Sequence, residues 1–159
     1  MDPLKLIALD EADLNVVSAH LQDAVSIVAD LAYLPSDRRF VAMFNRFDWS
    51  TAVASGRGER RQAALRIEQV RSARTQGIDF KASKTVLSLL ALTFTPDPDP
   101  DKAPQGDVTL QFAGGAAIKL QVECVEVQLE DLGPAWRARA VPRHEPTDGD
   151  AGPPAGKGE

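Results

Sequence analysis

The sequence contains a single cysteine, Cys124, in 159 residues, so the chain cannot form an internal disulfide. Such cysteine usage is typical of proteins in a reducing compartment, and we predict a cytoplasmic protein. The sequence also lacks a basic amino-terminal region followed by an apolar stretch, and it lacks an apolar run long enough for a membrane helix. We therefore expect neither a signal peptide nor a membrane span.

Residues that would form a metal or catalytic site are equally scarce. The two histidines, His20 and His144, lie far apart, and the lone cysteine supplies no zinc-ligand spacing. The sequence has no G-x-S-x-G nucleophile elbow and no P-loop. Asp97, Asp99 and Asp101 alternate with prolines but lack the glycine and final glutamate of a calcium loop. We predict no cofactor, no metal site and no catalytic residue, and the interpretation leans away from an enzyme.

The remaining composition is that of an ordinary globular domain. Hydrophobic residues make up 43% of the chain and charged residues 26%, which is enough apolar material for a core without disulfides or metals. One domain over residues 1–142 fits this length. Residues 143–159 are rich in proline, glycine and charge and hold little to bury, so we predict a disordered tail there.

Charge is unevenly distributed along the chain. Residues 38–84 hold eleven basic and four acidic residues, a net charge of +7, whereas the rest of the chain carries −12. One interpretation is that the two parts attract each other within the folded monomer. The other is that the basic segment forms a functional face for an acidic partner.

The apolar pattern predicts a first helix and a hairpin. Asp10 is a candidate N-cap, and apolar residues follow at helical spacing, which predicts a helix over Glu11–Asp23. The runs Ala24–Leu34 and Arg39–Phe47 flank the turn sequence PSDR and predict a β-hairpin. Both faces of Arg39–Phe47 are partly apolar, with Phe47 expected in the core, so this strand needs cover on both sides.

Further strands and a second helix are predicted after residue 60. Arg61–Ala73 is interpreted as a strand with a bulge or bend near Gln69, although a helix also fits its spacing. Thr85–Thr95 is predicted as a central strand, and Asp107–Glu123 as a hairpin that turns at Gly114-Gly115. The three, four, three spacing of apolar residues from Val122 onward predicts a short helix over Glu123–Leu132.

These elements predict an α+β domain. We expect a mainly antiparallel sheet of about six to seven strands, with an N-terminal and a C-terminal helix. Strands that are apolar on both faces favour a strongly curved sheet or a partial barrel. A pleckstrin-homology-like barrel that closes with a C-terminal helix is one candidate, and this analogy of fold carries no ligand with it.

The candidate partner-binding residues lie around one glycine-containing loop. Arginines near an aromatic residue can hold a phosphate, an acidic protein or a single-stranded base. The alternative is that Arg60 and Arg61 are solvated loop residues and that Trp49 packs over a sheet edge. Nucleic acid is disfavoured because the chain is acidic overall and only 6% aromatic. The candidate residues are Arg46, Trp49, Arg57, Arg60 and Arg61.

Three stretches of the sequence resemble a known family. They are KLIALDEADLNVVSAHLQDAV, AYLPSDRRFVAMFNRFDW and FAGGAAIKLQVECVEVQLEDLGPAW. Together they resemble a small uncharacterised family of alphaproteobacterial proteins that is known only as a domain of unknown function. The resemblance covers most of Leu4 to Trp136. It implies a cytoplasmic bacterial protein and implies no activity, cofactor or catalytic residue.

Two classes of function remain from the sequence. The first is a non-enzymatic binding or adaptor module that contacts an acidic protein or a phosphate-bearing ligand through the basic loop face. The alternative is an enzyme or small-ligand-binding protein with a pocket between sheet and helix. RNA binding through the same loop is a weaker third hypothesis.

Overall fold

In a computed structural model, which describes residues 3–47 and 59–137, the chain forms ten β-strands and one α-helix. In chain order they are β1 (Lys5–Ala8), α1 (Glu11–Leu21), β2 (Val25–Ile27), β3 (Leu31–Leu34), β4 (Arg39–Phe47), β5 (Glu59–Ile67), β6 (Val70–Gln76), β7 (Val86–Pro96), β8 (Gly106–Phe112), β9 (Ala117–Val122) and β10 (Val127–Arg137). Within those ranges no helix has the length and apolarity needed to cross a membrane.

All the strands belong to one antiparallel sheet that curls but stays open. The strand order is β1-β10-β5-β4-β2-β7-β8-β9-β6, with β3 paired to β4 beside β2. Only Glu68 and Gln69 separate β5 from β6, although these strands are third and last in the order. The sheet must therefore bend until β6 returns towards the β4–β5 corner. There the Val70 N–H donates to the Arg38 carbonyl at 2.9 Å.

The predicted break near Gln69 is present, and it divides one predicted strand into two. Gln69 has a φ of 61°, a left-handed conformation that turns the chain out of the line of β5. The pairing of β6 with β9 also shifts register between Val70 and Ser72. This change of direction restores the alternation that the sequence loses at Val70.

The helix α1 covers the inner face of the curled sheet. Asp10 caps it as predicted, because its side chain accepts from the Asp13 N–H at 2.8 Å. Leu14, Val17 and Leu21 are at most 1% exposed and pack in the core. The Leu92 N–H of β7 donates to the Ser18 hydroxyl at 2.9 Å, which ties the helix to the sheet. The helix and the inner face of the sheet are therefore packed against each other.

Both predicted hairpins are present. β3 pairs with β4, with Leu31 opposite Ala42 and Leu34 opposite Arg39. β8 pairs with β9. Gly114 and Gly115 have φ values of 83° and 88°, which explains why the second turn uses two glycines. Along β4 the even-numbered residues face the core, and the odd-numbered residues up to Asn45 are half-buried. Phe47, predicted to lie in the core, is 1% exposed.

The predicted helix over Glu123–Leu132 is wrong, because most of this segment belongs to β10. Apolar residues recur at helical spacing from Val122, but β10 follows an alternating pattern instead. Val127, Leu129 and Asp131 are buried, while Gln128 and Glu130 are partly exposed. The pairing of β10 with β1 on one side and with β5 on the other decides its structure. Gly133 and Pro134, which follow the segment predicted as a helix, lie at the register shift between Leu132 and Trp136.

The predicted number of six to seven strands is also too low. The predicted strand Ala24–Leu34 is divided into β2 and β3 by a turn over Val28–Asp30, and Arg61–Ala73 is divided into β5 and β6 at Gln69. The segment predicted as a helix adds β10. The sheet is mainly antiparallel, as predicted, but it is open, and the segment proposed to close it as a helix is a strand. The predicted tail, residues 143–159, lies outside the described residues.

Candidate functional site

The inner face of β4 ends in a buried arginine. Phe40, Ala42 and Phe44 face the core, and Arg46 follows them on the same face at 4% exposure. Its Nε and one terminal nitrogen each donate to a different oxygen of Asp131 on β10 at 2.8 Å. This two-bond geometry is the strong, directional form of an arginine–carboxylate pair.

The Asp131 carboxylate accepts hydrogen bonds from two different parts of the chain. Besides Arg46, it accepts from the Leu4 N–H at 2.7 Å, and its own N–H donates to the Leu4 carbonyl at 2.9 Å. Burial raises the pKa of the Asp131 carboxyl. The hydrogen bonds from Arg46 and Leu4 and the charges of Arg46 and Arg61 outweigh burial, so this pKa is lowered. Asp131 therefore stays ionised in the folded protein.

Arg60 and Arg61, at the start of β5, lie on opposite faces of the sheet because they are consecutive in a strand. Arg61 is 3% exposed, and its Nε lies 3.9 Å from Asp131. Arg60 is 7% exposed, donates to the Asn45 carbonyl at 3.3 Å and lies 6.0 Å from the centroid of the Phe47 ring. Burial lowers the pKa of Arg60. We call Arg46, Arg60, Arg61 and Asp131 the buried arginine cluster.

The structure thus brings together three of the five predicted partner-binding residues, and it places all three in the interior. Arg46, Arg60 and Arg61 lie within the last two residues of β4 and the first three of β5. Trp49 and Arg57 lie outside the described residues. Part of the predicted basic face is therefore turned inward, where its charge is opposed by Asp131.

Three other arginines of the basic segment make ion pairs closer to the surface. Arg38 pairs with Glu123, and these side chains are 49% and 40% exposed. Arg39 and Arg66 both pair with Glu68, at 2.9 Å and 3.0 Å. Together with the bonds to Asp131, the Arg38 pair supports the interpretation that the basic segment and the acidic remainder attract each other within the monomer.

A second group of cations on β6 and β9 is different. Arg71, Arg74 and Lys119 are exposed, and in the described part of the chain none of them makes an ion pair. Arg74 lies directly opposite Lys119 in the register of β6 and β9. Side chains at such positions share a face and stand about 4.5–5.5 Å apart at Cβ, and like charges there are destabilising. We call these three residues the β6 basic patch.

The surroundings of the β6 basic patch are polar. Thr109 on β8 lies opposite Lys119, and Ser72 and Gln121 form the next outward row. These neighbours offer hydroxyl and amide groups and no charge, so they leave the cations uncompensated. Asp107, opposite Gln121, is the one carboxylate on the outward face of described β6, β9 and β8.

An open groove of about 390 Å³ lies elsewhere, beside the start of α1. Leu9, Phe94 and Val125 contribute apolar surface, and Glu11 and Glu126 contribute carboxylates. Cys124, a free thiol, also lines it. The groove lies at the rim of the sheet and not between the sheet and the buried face of α1. Among residues 3–47 and 59–137, no group of three histidine, cysteine, aspartate or glutamate residues could hold a metal ion.

Sequence reasoning missed Asp131 and Lys119. Asp131 lies in the segment predicted as a helix, and the helical spacing of its apolar residues hides the alternation of β10. Lys119 lies between the inward-facing Ile118 and Leu120 in the predicted hairpin, and this alternation indicates that it is exposed. Its position opposite Arg74 depends on the pairing of β6 with β9, which joins segments about forty residues apart in the sequence.

A family model described as "Protein of unknown function (DUF2948)" matches residues 4–144 of the chain. This confirms the resemblance to a family of unknown function that the three sequence stretches indicated. No curated protein and no solved structure matches the chain.

Proposed function

The chain belongs to this family of proteins of unknown function, and we propose that it is a non-enzymatic binding module that holds an acidic protein partner through the β6 basic patch. The observation that carries the proposal is the pairing of Arg74 with Lys119, two exposed cations in direct register with no carboxylate between them. A like-charge pair lowers stability when nothing opposes it. A partner that supplies carboxylates would turn this repulsion into attraction.

The patch suits a protein carboxylate because its cations are exposed and aligned. Arg71 and Arg74 lie on the last strand of the sheet, and Lys119 lies on the strand beside it. Arginine offers a planar fork that binds a carboxylate with two bonds, and lysine adds a compact point charge. Hydroxyl and amide groups of Ser72 and Gln121 stand in the neighbouring row and can donate to the same anion.

The buried arginine cluster supports the module in another way. Arg46 and Arg61 reach Asp131, so charge attraction links β4, β5 and β10 at this end of the sheet. Their role in the proposal is to position strands and not to contact the partner. The contact roles predicted for Trp49 and Arg57, and for Arg60 beside them, remain proposals that the binding experiment includes.

The test is a titration of the isotope-labelled protein with a fluorescein-labelled, glutamate-rich peptide, followed by NMR and by fluorescence anisotropy. We expect shifts that concentrate on β6 and β9, and at least tenfold weaker binding for Arg74→Glu/Lys119→Glu. Binding should weaken as salt is added because the contacts are exposed.

A matched control for this test is Lys5→Glu/Lys102→Glu. These lysines are also exposed and lie outside the β6 basic patch, and the substitutions change the net charge by the same amount. We expect less than a threefold loss from this control. Equal losses from the two double variants, or no binding at low salt, would reject the β6 basic patch as the binding site. Trp49→Ala, Arg57→Ser and Arg60→Ser, measured with the same peptide, test their predicted contacts.

A second candidate function is that of a small-ligand-binding protein, which the groove beside α1 favours. Phe94 and Val125 offer apolar surface, and Glu11 and Glu126 offer carboxylates, which suits a ligand with an apolar body and a positive charge. A titration with 4-phenylbutylamine followed by NMR tests this function. Saturable shifts at Cys124 and Val125 would support it, and uniform, non-saturating shifts would reject it.

A further inference from the structure

In the curled sheet, β3 and β6 are not paired with each other. In the described part of the chain, β3 pairs only with β4 and β6 pairs only with β9, so each has one unpaired edge. At one end, the Val70 N–H donates to the Arg38 carbonyl, just after the turn that follows β3. At the other end, the chain leaving β6 returns beside β3, where the Ala29 N–H donates to the Ser83 carbonyl at 2.9 Å. We call the space bounded in this way the β3–β6 window.

The core is covered less completely at the window than along β4, β5, β8 and β9, whose inward apolar residues are all buried. Leu31 and Tyr33 of β3 lie opposite Ala42 and Phe40 of β4, which are 0% and 3% exposed. Leu31 and Tyr33 pack against the same core and yet are only half-buried. Inward-facing residues of one sheet should be buried alike if each strand has a neighbour on both sides. Their difference is consistent with the lack, among residues 3–47 and 59–137, of a second strand paired with β3.

The same contrast appears on β6. Ala73 lies opposite Leu120 of β9, which is 0% exposed, but Ala73 itself is half-buried. Phe80, in the chain that bounds the window, is 50% exposed. Apolar side chains thus border the window on both sides and at one end. An added strand with apolar residues facing inward would cover them.

We propose that an extended acidic segment of a partner protein adds to β6 as a further strand in the β3–β6 window. Its inward residues are apolar and cover Tyr33 and Ala73, and its outward residues are glutamate or aspartate and face Arg74. This inference rests on the proposed function, since it states how the acidic partner binds. It requires an alternating sequence, which a purely electrostatic contact does not.

The charges favour a partner's acidic segment as the occupant. β3 has the uncharged sequence LAYL, and β6 has the sequence VRSARTQ with two arginines and no carboxylate. Asp30, Asp37 and Asp79 lie at the ends of the window and not along these strands. A partner strand paired along β6 therefore meets the arginines on its outward face and apolar side chains on its inward face. In antiparallel pairing with β9, alternate residues of β6 direct their backbone N–H and C=O groups away from β9, where they can pair with the added strand.

Three peptides of equal charge test the inference. The first alternates glutamate with valine and threonine over seven residues, which is the length of β6. The second has the same composition, with the glutamates grouped together. The third keeps the alternating order but carries N-methyl groups on two central amides, which removes backbone donors without changing charge. We expect the second and third peptides to bind at least tenfold more weakly than the first.

Hydrogen exchange supplies an independent readout. Binding of the alternating peptide should slow amide exchange at alternate residues of β6 and leave β8, which has strands on both sides, unchanged. Arg74→Glu should abolish this protection, and Lys5→Glu, an exposed control on β1 at the other end of the strand order, should retain it.

The outcomes separate this inference from the proposed function. If all three peptides bind equally and Arg74→Glu/Lys119→Glu weakens them all, the β6 basic patch binds acid but the added strand is wrong. If no acidic peptide binds, the proposed function fails and the inference fails with it. If sedimentation shows a dimer without peptide, and the dimer excludes the alternating peptide, a second copy of the chain occupies the window and the proposed partner is overturned.

Discussion

The buried arginine cluster takes all its arginines, and the β6 basic patch two of its three cations, from residues 38–84, but the two groups differ in burial and in pairing. In the cluster, Arg46 is 4% exposed and forms two bonds to Asp131. In the patch, Arg74 is exposed and lies opposite another cation. Identical side chains therefore have opposite effects on stability, since one is matched by a desolvated carboxylate and the other is opposed by a like charge.

This difference suggests a division of roles. A buried charge is tolerated only where a partner of opposite sign is fixed beside it, so the cluster contributes to holding the strands in place. An exposed, unmatched charge is solvated and remains available to a ligand. Arginine content alone does not identify a binding face, because the pairing of each arginine must also be known.

The largest expected effect follows from removing the carboxylate of the cluster. Asp131→Ala leaves Arg46 and Arg61 buried beside an empty position and removes the acceptor of the Leu4 N–H. We expect a loss of about 3–5 kcal/mol in the free energy of unfolding, measured by urea titration. Glu130→Ala, on the outward face of the same strand, is the control and should change stability by less than about 0.5 kcal/mol. Equal effects of the two substitutions would contradict the role given to Asp131.

A smaller effect is expected when Asp131 is protonated by acid. Burial raises the pKa of its carboxyl, but Arg46, Leu4 and Arg61 together lower it below the unfolded value of about 3.9. The stabilisation is therefore complete above the unfolded pKa and is lost as the pH falls through the folded pKa. Urea midpoints measured from about pH 6 down to about pH 3 should fall further for the wild type than for Asp131→Asn. Parallel curves would show that Asp131 does not contribute to the acid sensitivity.

The smallest effect on the free energy of unfolding is expected from the β6 basic patch, where a substitution should raise stability and not lower it. Lys119→Glu replaces the like-charge pair with Arg74 by a pair of opposite charges. We expect a gain of about 0.2–1 kcal/mol in the free energy of unfolding at low salt, which should decrease as salt is added. Lys119→Gln, which removes the repulsion without adding attraction, should give a smaller gain. A loss of stability from both substitutions would show that Lys119 has a stabilising contact.

A combined measurement tests the comparison directly. The charge-reversed patch variant Arg74→Glu/Lys119→Glu should lose peptide binding and keep its thermal midpoint, because both side chains are exposed. Arg46→Met, which keeps an unbranched side chain but removes both hydrogen bonds to Asp131, should lower the thermal midpoint. Arg46→Met should leave peptide binding unchanged at temperatures where the variant is folded. If Arg46→Met weakens binding without unfolding the protein, the cluster also contacts the partner.

Local patterns predicted several elements correctly. The cap at Asp10, the hairpin through Gly114-Gly115 and the break at Gln69 each depend on the chemistry of a few consecutive residues. Side-chain capping, positive φ at glycine and a loss of alternation are all visible in the sequence. The burial of Phe47 was also predicted, although Phe47 lies on the face of β4 opposite Phe44.

The candidate site was less predictable, because it depends on strand partners. Arg46 has the even phase of Phe40 and Phe44, which already indicates the core face, but the carboxylate that makes this position tolerable lies 85 residues away. Asp131 itself belonged to a segment predicted to be a helix. Without the pairing of β10 with β5, neither the burial of Arg46 nor its partner could be known.

The uneven charge, the absence of an internal disulfide and the local turns and caps follow from the amino-acid order alone. These properties depend on residue types and short spacings, and they do not change with the arrangement of the strands. Only the tertiary structure decided which arginines are neutralised and which remain exposed. The reason is that a charge interacts over a few ångströms, so its effect depends on the strand placed beside it and not on its neighbours along the chain.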